Sequence, residues 1–127
     1  MAQTIGLLQI ESEKQVKRGE IYLCDLPAER GSVQGKYRPV IILQNDIGNR
    51  FSPTTLIAPL SRQNKPLPTH VHIKEGVAGL LYSSYVLCEQ IRTIDKACLS
   101  KFIGKVNFDS EEFKSIERSI LISLGFQ

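Results

Sequence analysis

Arg38-Pro39-Val40-Ile41-Ile42-Leu43-Gln44 is the stretch from which the fold is read. Its centre is an unbroken aliphatic run with no polar alternation, the pattern of a strand buried on both faces. On one side Glu29 to Lys36 places Gly31 and Gly35 around Ser32 and Gln34, which is loop chemistry. On the other, Asn45 to Pro53 is polar and contains Gly48 and Pro53, so a loop is expected there too. Further out, Glu20 to Leu26 reads as a strand ended by Pro27, and Thr54 to Leu60 as another. Gln63 to Pro68 is a turn region with two prolines, and His70-Val71-His72-Ile73 alternates as a half-buried strand does. Ser84 to Glu89 and Gln90 to Thr93 form one longer or two short strands, and Leu99 to Val106 adds a last strand after a short helical turn. Asp109, with Glu112 three residues on, is the expected N-cap of a helix. Phe113, Ile116, Ile120 and Leu124 then recur at helical spacing with Leu121 beside them, one face packs on the sheet, and Gly125 ends it. Many short strands and one closing helix imply a small, strongly curved sheet or barrel of mainly β or α+β class.

The 127 residues make one domain, expected over residues 16–127, with residues 1–15 as a flexible extension. A net charge of +3 permits an anionic partner without demanding one. Cys24, Cys88 and Cys98 are odd in number and form no Cys-x-x-Cys pair, which argues against a disulfide framework and for a reducing compartment. Cys24 and Cys88 sit in apolar strands and read as buried, inert thiols. No apolar run approaches the roughly 20 residues of a membrane span, and residues 1–10 lack the basic start of a secretory signal.

Several residues carry candidate chemistry. Gly35-Lys36 is not a phosphate loop: Arg30 stands where its first glycine belongs, Tyr37 replaces the hydroxyl residue, and a strand follows instead of a helix. Arg38 precedes a proline and is held in extended geometry at a loop-to-strand junction. A guanidinium there can grip a phosphate bidentately, with help from Ser32, Gln34 and the Gly31 and Gly35 amides. Local chemistry alone favours a structural Arg tying the loop to a neighbouring carboxylate. Ser61 offers a hydroxyl at a strand end. His70 and His72 share a strand face, and without a third ligand at suitable spacing they read as an exposed pair rather than a metal site. One of them is suited to proton transfer. Gln90 and Arg92 share a face suited to base edges and phosphates, or to a solvated sheet edge. Tyr37, Phe51, Tyr82 and Tyr85 lie in or near loops, but no aromatic cluster marks a stacking platform.

Seven segments taken together resemble the MazF/PemK toxins. They are Lys17-Arg18-Gly19-Glu20-Ile21-Tyr22, Gly31-Ser32-Val33-Gln34-Gly35, Arg38-Pro39-Val40, Gln44-Asn45-Asp46, Asn49-Arg50-Phe51-Ser52-Pro53-Thr54, Leu67-Pro68-Thr69-His70-Val71 and Glu89-Gln90-Ile91-Arg92-Thr93-Ile94-Asp95-Lys96. They fall in order and at compatible spacing from about Val16 to about Leu124. The resemblance implies an SH3-like β-barrel with a C-terminal helix, a homodimer, and a cytoplasmic, sequence-specific endoribonuclease that cuts single-stranded RNA without metal or other cofactor. It also implies a MazE-like antitoxin whose acidic tail fills the RNA groove. The family's catalytic Arg falls on Arg38 and its catalytic hydroxyl, usually Thr, on Ser61. RNA-binding positions fall on Ser32, Gln34, Gly35 and Gln90, to which Arg92 and His70 are added as candidates. Serine keeps the hydroxyl but lacks the methyl that restricts χ1.

Arginine is effectively never deprotonated, so Arg38 is expected to stabilise charge or donate a proton, and His70 is the candidate base. A topoisomerase poison of CcdB type and an inactive RNA-binding relative are the alternatives on the same barrel.

Overall fold

The computed structural model describes residues 15–26 and 36–126. The expected extension and the loop carrying Ser32, Gln34 and Gly35 lie outside the described residues. Among the described residues there are seven strands: β1 (Glu20–Leu26), β2 (Lys36–Ile42), β3 (Thr54–Ser61), β4 (His70–Ile73), β5 (Ser84–Leu87), β6 (Arg92–Asp95) and β7 (Leu99–Lys105). Two α-helices accompany them among those residues, α1 (Asp46–Phe51) and α2 (Glu111–Leu124). All pairings are antiparallel, in the order β4-β5-β3-β2-β1-β7, with β6 also on β3.

β2 is the central strand, as its apolar run demands. Val40, Ile41 and Ile42 are fully buried, and successive side chains enter different cores. Ile41 joins Ile21, Ala58, Leu60 and Ile73 under α2, while Val40 and Ile42 join Tyr22, Cys24, Ile57 and Leu99 on the opposite face. β3 is the pivot of the curvature. Its Thr54–Ile57 half pairs with β6, whereas Leu60 and Ser61 pair with β5. The question of one strand or two after Ser84 is thereby resolved. The chain breaks at a turn in which Gln90 N–H donates to the Leu87 carbonyl (2.9 Å), so β5 and β6 reach different halves of β3. Register shifts between β1 and β7 add local twist.

Three sequence expectations are corrected. Asn45 to Pro53 is not all loop, because it contains α1. Asn45 caps it by accepting from Gly48 N–H (2.8 Å). Buried Asn49 then holds it in place, donating to the Gln44 carbonyl (2.8 Å) and accepting from Thr55 Oγ1 (2.7 Å). These tertiary bonds outweigh the poor helix propensity of Gly48 and Asn49. The cap of α2 is Ser110, not Asp109: Ser110 Oγ accepts from Phe113 N–H (3.1 Å), and Asp109 lies in the preceding turn. Finally, Phe113 and Ile116 are buried but Leu124 is 57% exposed, because the helix outruns the sheet beneath it. Gly125 ends the helix in left-handed geometry, as expected.

Candidate active site

The register Val40↔Pro59, Ile41↔Ala58 carried two residues further sets Arg38 opposite Ser61. The structure agrees, since Arg38 Nη1 donates to the neighbouring Leu60 carbonyl (3.3 Å). Side chains on opposed residues of neighbouring strands share a face. Both residues line a cleft of about 860 Å³ walled by β2, β3, β7 and the segment 79–84. Among the described residues its cations are Arg38, Arg62 and Lys101, and none of the described lining residues is acidic. Such a lining attracts a polyanion.

Partial burial lowers the pKa of Arg38 from its ordinary value, through desolvation alone. A guanidinium remains charged regardless. Its reduced hydration strengthens any bond it makes to phosphate. Ser61 is half-buried, and its Oγ accepts from Gln63 N–H (3.1 Å). That bond fixes the oxygen, and a hydroxyl accepting in this way still has its own hydrogen to donate. The turn thus restrains a side chain that lacks the methyl of threonine.

The cleft also gathers residues that sequence reasoning left apart. Tyr37 OH donates to Ser100 Oγ (2.8 Å), which in turn donates to the Leu23 carbonyl (3.1 Å), and this holds the Tyr37 ring at one wall. Tyr82 stands at the other wall with the Arg62 guanidinium 4.3 Å from its ring centroid. Phe102 and Lys101 come from β7. Three aromatic rings thus line one cleft, on separate walls. Nothing local links residues 37, 62, 82 and 102. Only the bending of the sheet brings them together.

Other expected site residues lie elsewhere. Arg92 pairs with Ile57, four residues from Ser61, or about 13 Å along β3. Gln90 sits in the turn before β6, and neither residue lines the cleft. His70 is not the exposed histidine expected. Its side chain is only 4% exposed, with Nδ1 at hydrogen-bond distance from the Lys65 carbonyl oxygen (3.0 Å) and Nε2 from Glu89 Oε2 (2.9 Å). Thr69 Oγ1 donates to the other Glu89 oxygen (3.0 Å). Burial raises the pKa of Glu89, but the hydrogen bonds from His70, from its own backbone and from Thr69 outweigh it and the net shift is downward. His72 does stay exposed, stacked on Tyr85 with centroids 5.0 Å apart. Among the described residues no three His, Cys, Asp or Glu side chains gather as a metal site.

This fold is that of small antiparallel toxins. MazF from Deinococcus radiodurans superposes with a TM-score of 0.76 at 18% identity, over 89% of this chain and 99% of that one. A mycobacterial endoribonuclease superposes at 0.72 and 24% identity, over 88% and 93%. A mycobacterial endoribonuclease bound to its cognate antitoxin superposes at 0.69 and 24% identity, over 88% and 95%. Sequence goes further than shape. Endoribonuclease EndoA of Bacillus subtilis strain 168 is 46% identical over 112 residues, 87% of this chain and 95% of its own length. Residues 17–124 match the model of the PemK-like, MazF-like toxins of type II toxin–antitoxin systems, and the chain belongs to that family.

Proposed function

We propose that the cleft is the catalytic centre of a sequence-specific endoribonuclease, with Arg38 and Ser61 as its catalytic residues. The observation that carries this reading is the cross-strand placement of Arg38 beside Ser61 in a cleft whose described lining is cationic and holds no carboxylate. The chain is an endoribonuclease toxin of MazF/PemK type. Its partners in that role are single-stranded RNA, a cognate antitoxin and a second copy of itself, and its place of action is the cytoplasm. Among the described residues no helix is long and apolar enough to cross a membrane.

RNA carries its own nucleophile in the 2′-OH beside the scissile phosphate. Cleavage needs that hydroxyl aligned and the charge on phosphorus stabilised; as the 2′-oxygen bonds phosphorus its proton passes to water, and as the bond from phosphorus to the 5′-oxygen breaks that oxygen takes a proton from water, so the reading calls for no metal. Arg38 donates to the phosphoryl oxygens. Ser61, held by Gln63 N–H, donates its hydroxyl hydrogen to the same phosphate. The expected products are a 2′,3′-cyclic phosphate and a 5′-OH end, and DNA, without the 2′-OH, resists. Gln90 and Arg92 extend the RNA track along the β6 half of β3, beyond the cleft itself.

The test is incubation of the pure protein with a long unstructured RNA in chelator, mapping new 5′ ends. Cleavage at a short recurrent motif, abolished in a folded Arg38→Ala variant, is expected. Failure to cleave, or cleavage that chelator abolishes, refutes the reading, and failure with retained RNA binding identifies an inactive RNA-binding relative.

A further inference from the structure

We propose that Tyr82, backed by Arg62 and flanked by Leu81, is a stacking shelf for one nucleobase of the RNA strand whose scissile phosphate lies against Arg38 and Ser61. The proposal rests on the nuclease reading and adds a base-binding subsite to it. Three observations carry it. First, the shelf is continuous with the phosphate site. Arg62 directly follows Ser61 and lays its guanidinium 4.3 Å from the Tyr82 ring centroid, inside the same cleft. A ring with a guanidinium on one face is a flat cationic platform, and every base has a π-face to set on it.

Second, the shelf is anchored rather than floppy. The tight turn Val77–Gly79 presses on β7 so closely that a Cβ on Gly104 would come within 2.0 Å of the Ala78 carbonyl oxygen, and one on Gly79 within 2.2 Å of the Ile103 carbonyl oxygen. Ala78 itself holds φ 54°, left-handed backbone that a non-glycine residue adopts only when its surroundings impose it. Leu80 is buried behind it, and Ser84 Oγ donates to the Tyr82 carbonyl (3.0 Å). A segment fixed by glycine contacts, strained backbone and a hydrogen bond presents its side chains in one geometry, which is what a binding surface requires.

Third, no other described part of the chain covers the apolar side chains so presented. Leu81 is 84% and Tyr82 58% exposed, at the rim of a cleft lined by Arg38, Arg62 and Lys101. Apolar surface beside cations, with no carboxylate among the described lining residues, fits a stacked base on a phosphodiester strand.

The experiment uses the full chain and single-stranded RNAs containing the mapped cleavage motif. Each carries a 2′-deoxy sugar at the scissile position, to block cleavage, and 2-aminopurine at one position, stepped along the strand. The chain has no Trp, so the probe's fluorescence is read without interference. One position next to the scissile phosphate should be quenched on binding to wild-type protein. Quenching should vanish in Tyr82→Ala and persist in Tyr82→Phe, which keeps the ring, with both variants checked as folded by thermal unfolding. On cleavable RNA, Tyr82→Ala should raise KM about tenfold, and Tyr82→Phe should restore it. An abasic sugar at the quenched position should weaken wild type by the same factor and leave Tyr82→Ala unaffected. Quenching retained in Tyr82→Ala, or equal abasic losses in both proteins, overturns the shelf. Wild type that cleaves no RNA overturns the nuclease reading itself, a different result from a cleaving enzyme indifferent to Tyr82.

Discussion

His70→Ala separates a latch from a base. The imidazole ties the Lys65 carbonyl to Glu89, so it pins the segment that leads from Ser61 into β4 against the end of β5. Removing it deletes one neutral-acceptor bond, about 1 kcal/mol, and one bond to a carboxylate, about 1.5–3 kcal/mol. Glu89 is about one-third exposed, so water recovers part of the second. The expected loss is about 2–3 kcal/mol, or about 8–12 °C in the midpoint of thermal unfolding at pH 7. A general base contributes about 100-fold or more to the rate. The latch reading instead expects kcat, measured at low temperature where the variant is folded, to stay within about threefold of wild type. A midpoint unchanged within 1–2 °C, together with a 100-fold fall in kcat, refutes the latch and restores His70 as the base.

Glu89 supplies the pH signature of the same contact. Its pKa lies below the ordinary 4.5 in the folded chain, so its stabilising contribution is full above that value and is lost as pH falls through the folded pKa. Glu89→Gln should therefore be less stable at neutral pH yet lose less on acidification below about pH 4.5, as read by urea titration across that range; parallel curves would contradict the assignment. Ser61→Ala removes a bond to a charged phosphate and should lower kcat by about 10–150-fold, while Ser61→Thr retains activity; equal rates in Ser61→Ala and wild type would remove Ser61 from the mechanism. Burial first, and the Glu89 charge second, push the Cys88 thiol up to about 12, so iodoacetamide at pH 8 should label it only after unfolding; rapid native labelling, seen by mass spectrometry, would contradict that. Gly104→Ala places a methyl against the Ala78 carbonyl and should lower the unfolding midpoint by several degrees and weaken RNA binding, since it lifts the turn that carries Leu81 and Tyr82; a neutral result would show the contact to be yielding.

What the chain by itself determined is the part governed by local pattern. The unbroken run at Val40 to Leu43 read as a strand covered on both sides, and it lies between two cores. The alternation at His70 to Ile73 and the helical spacing after Ser110 were equally legible, because burial of one face imposes its period on the residues that line it. Arg38 was visible as a constrained cation ahead of a proline, and the run of motifs around it named the family. Tertiary structure decided what depends on contacts distant in sequence. Gln44 and Thr55 make a helix of Asp46 to Phe51 through the side chain of Asn49. The carbonyl of Lys65 and the carboxylate of Glu89 take both nitrogens of His70 out of the cleft. The shelf is the clearest case. Tyr82 and Arg62 are twenty residues apart and carry no shared pattern, and they meet because β3 bends from one half of the sheet to the other and Gly104 lets the turn before Tyr82 close on β7.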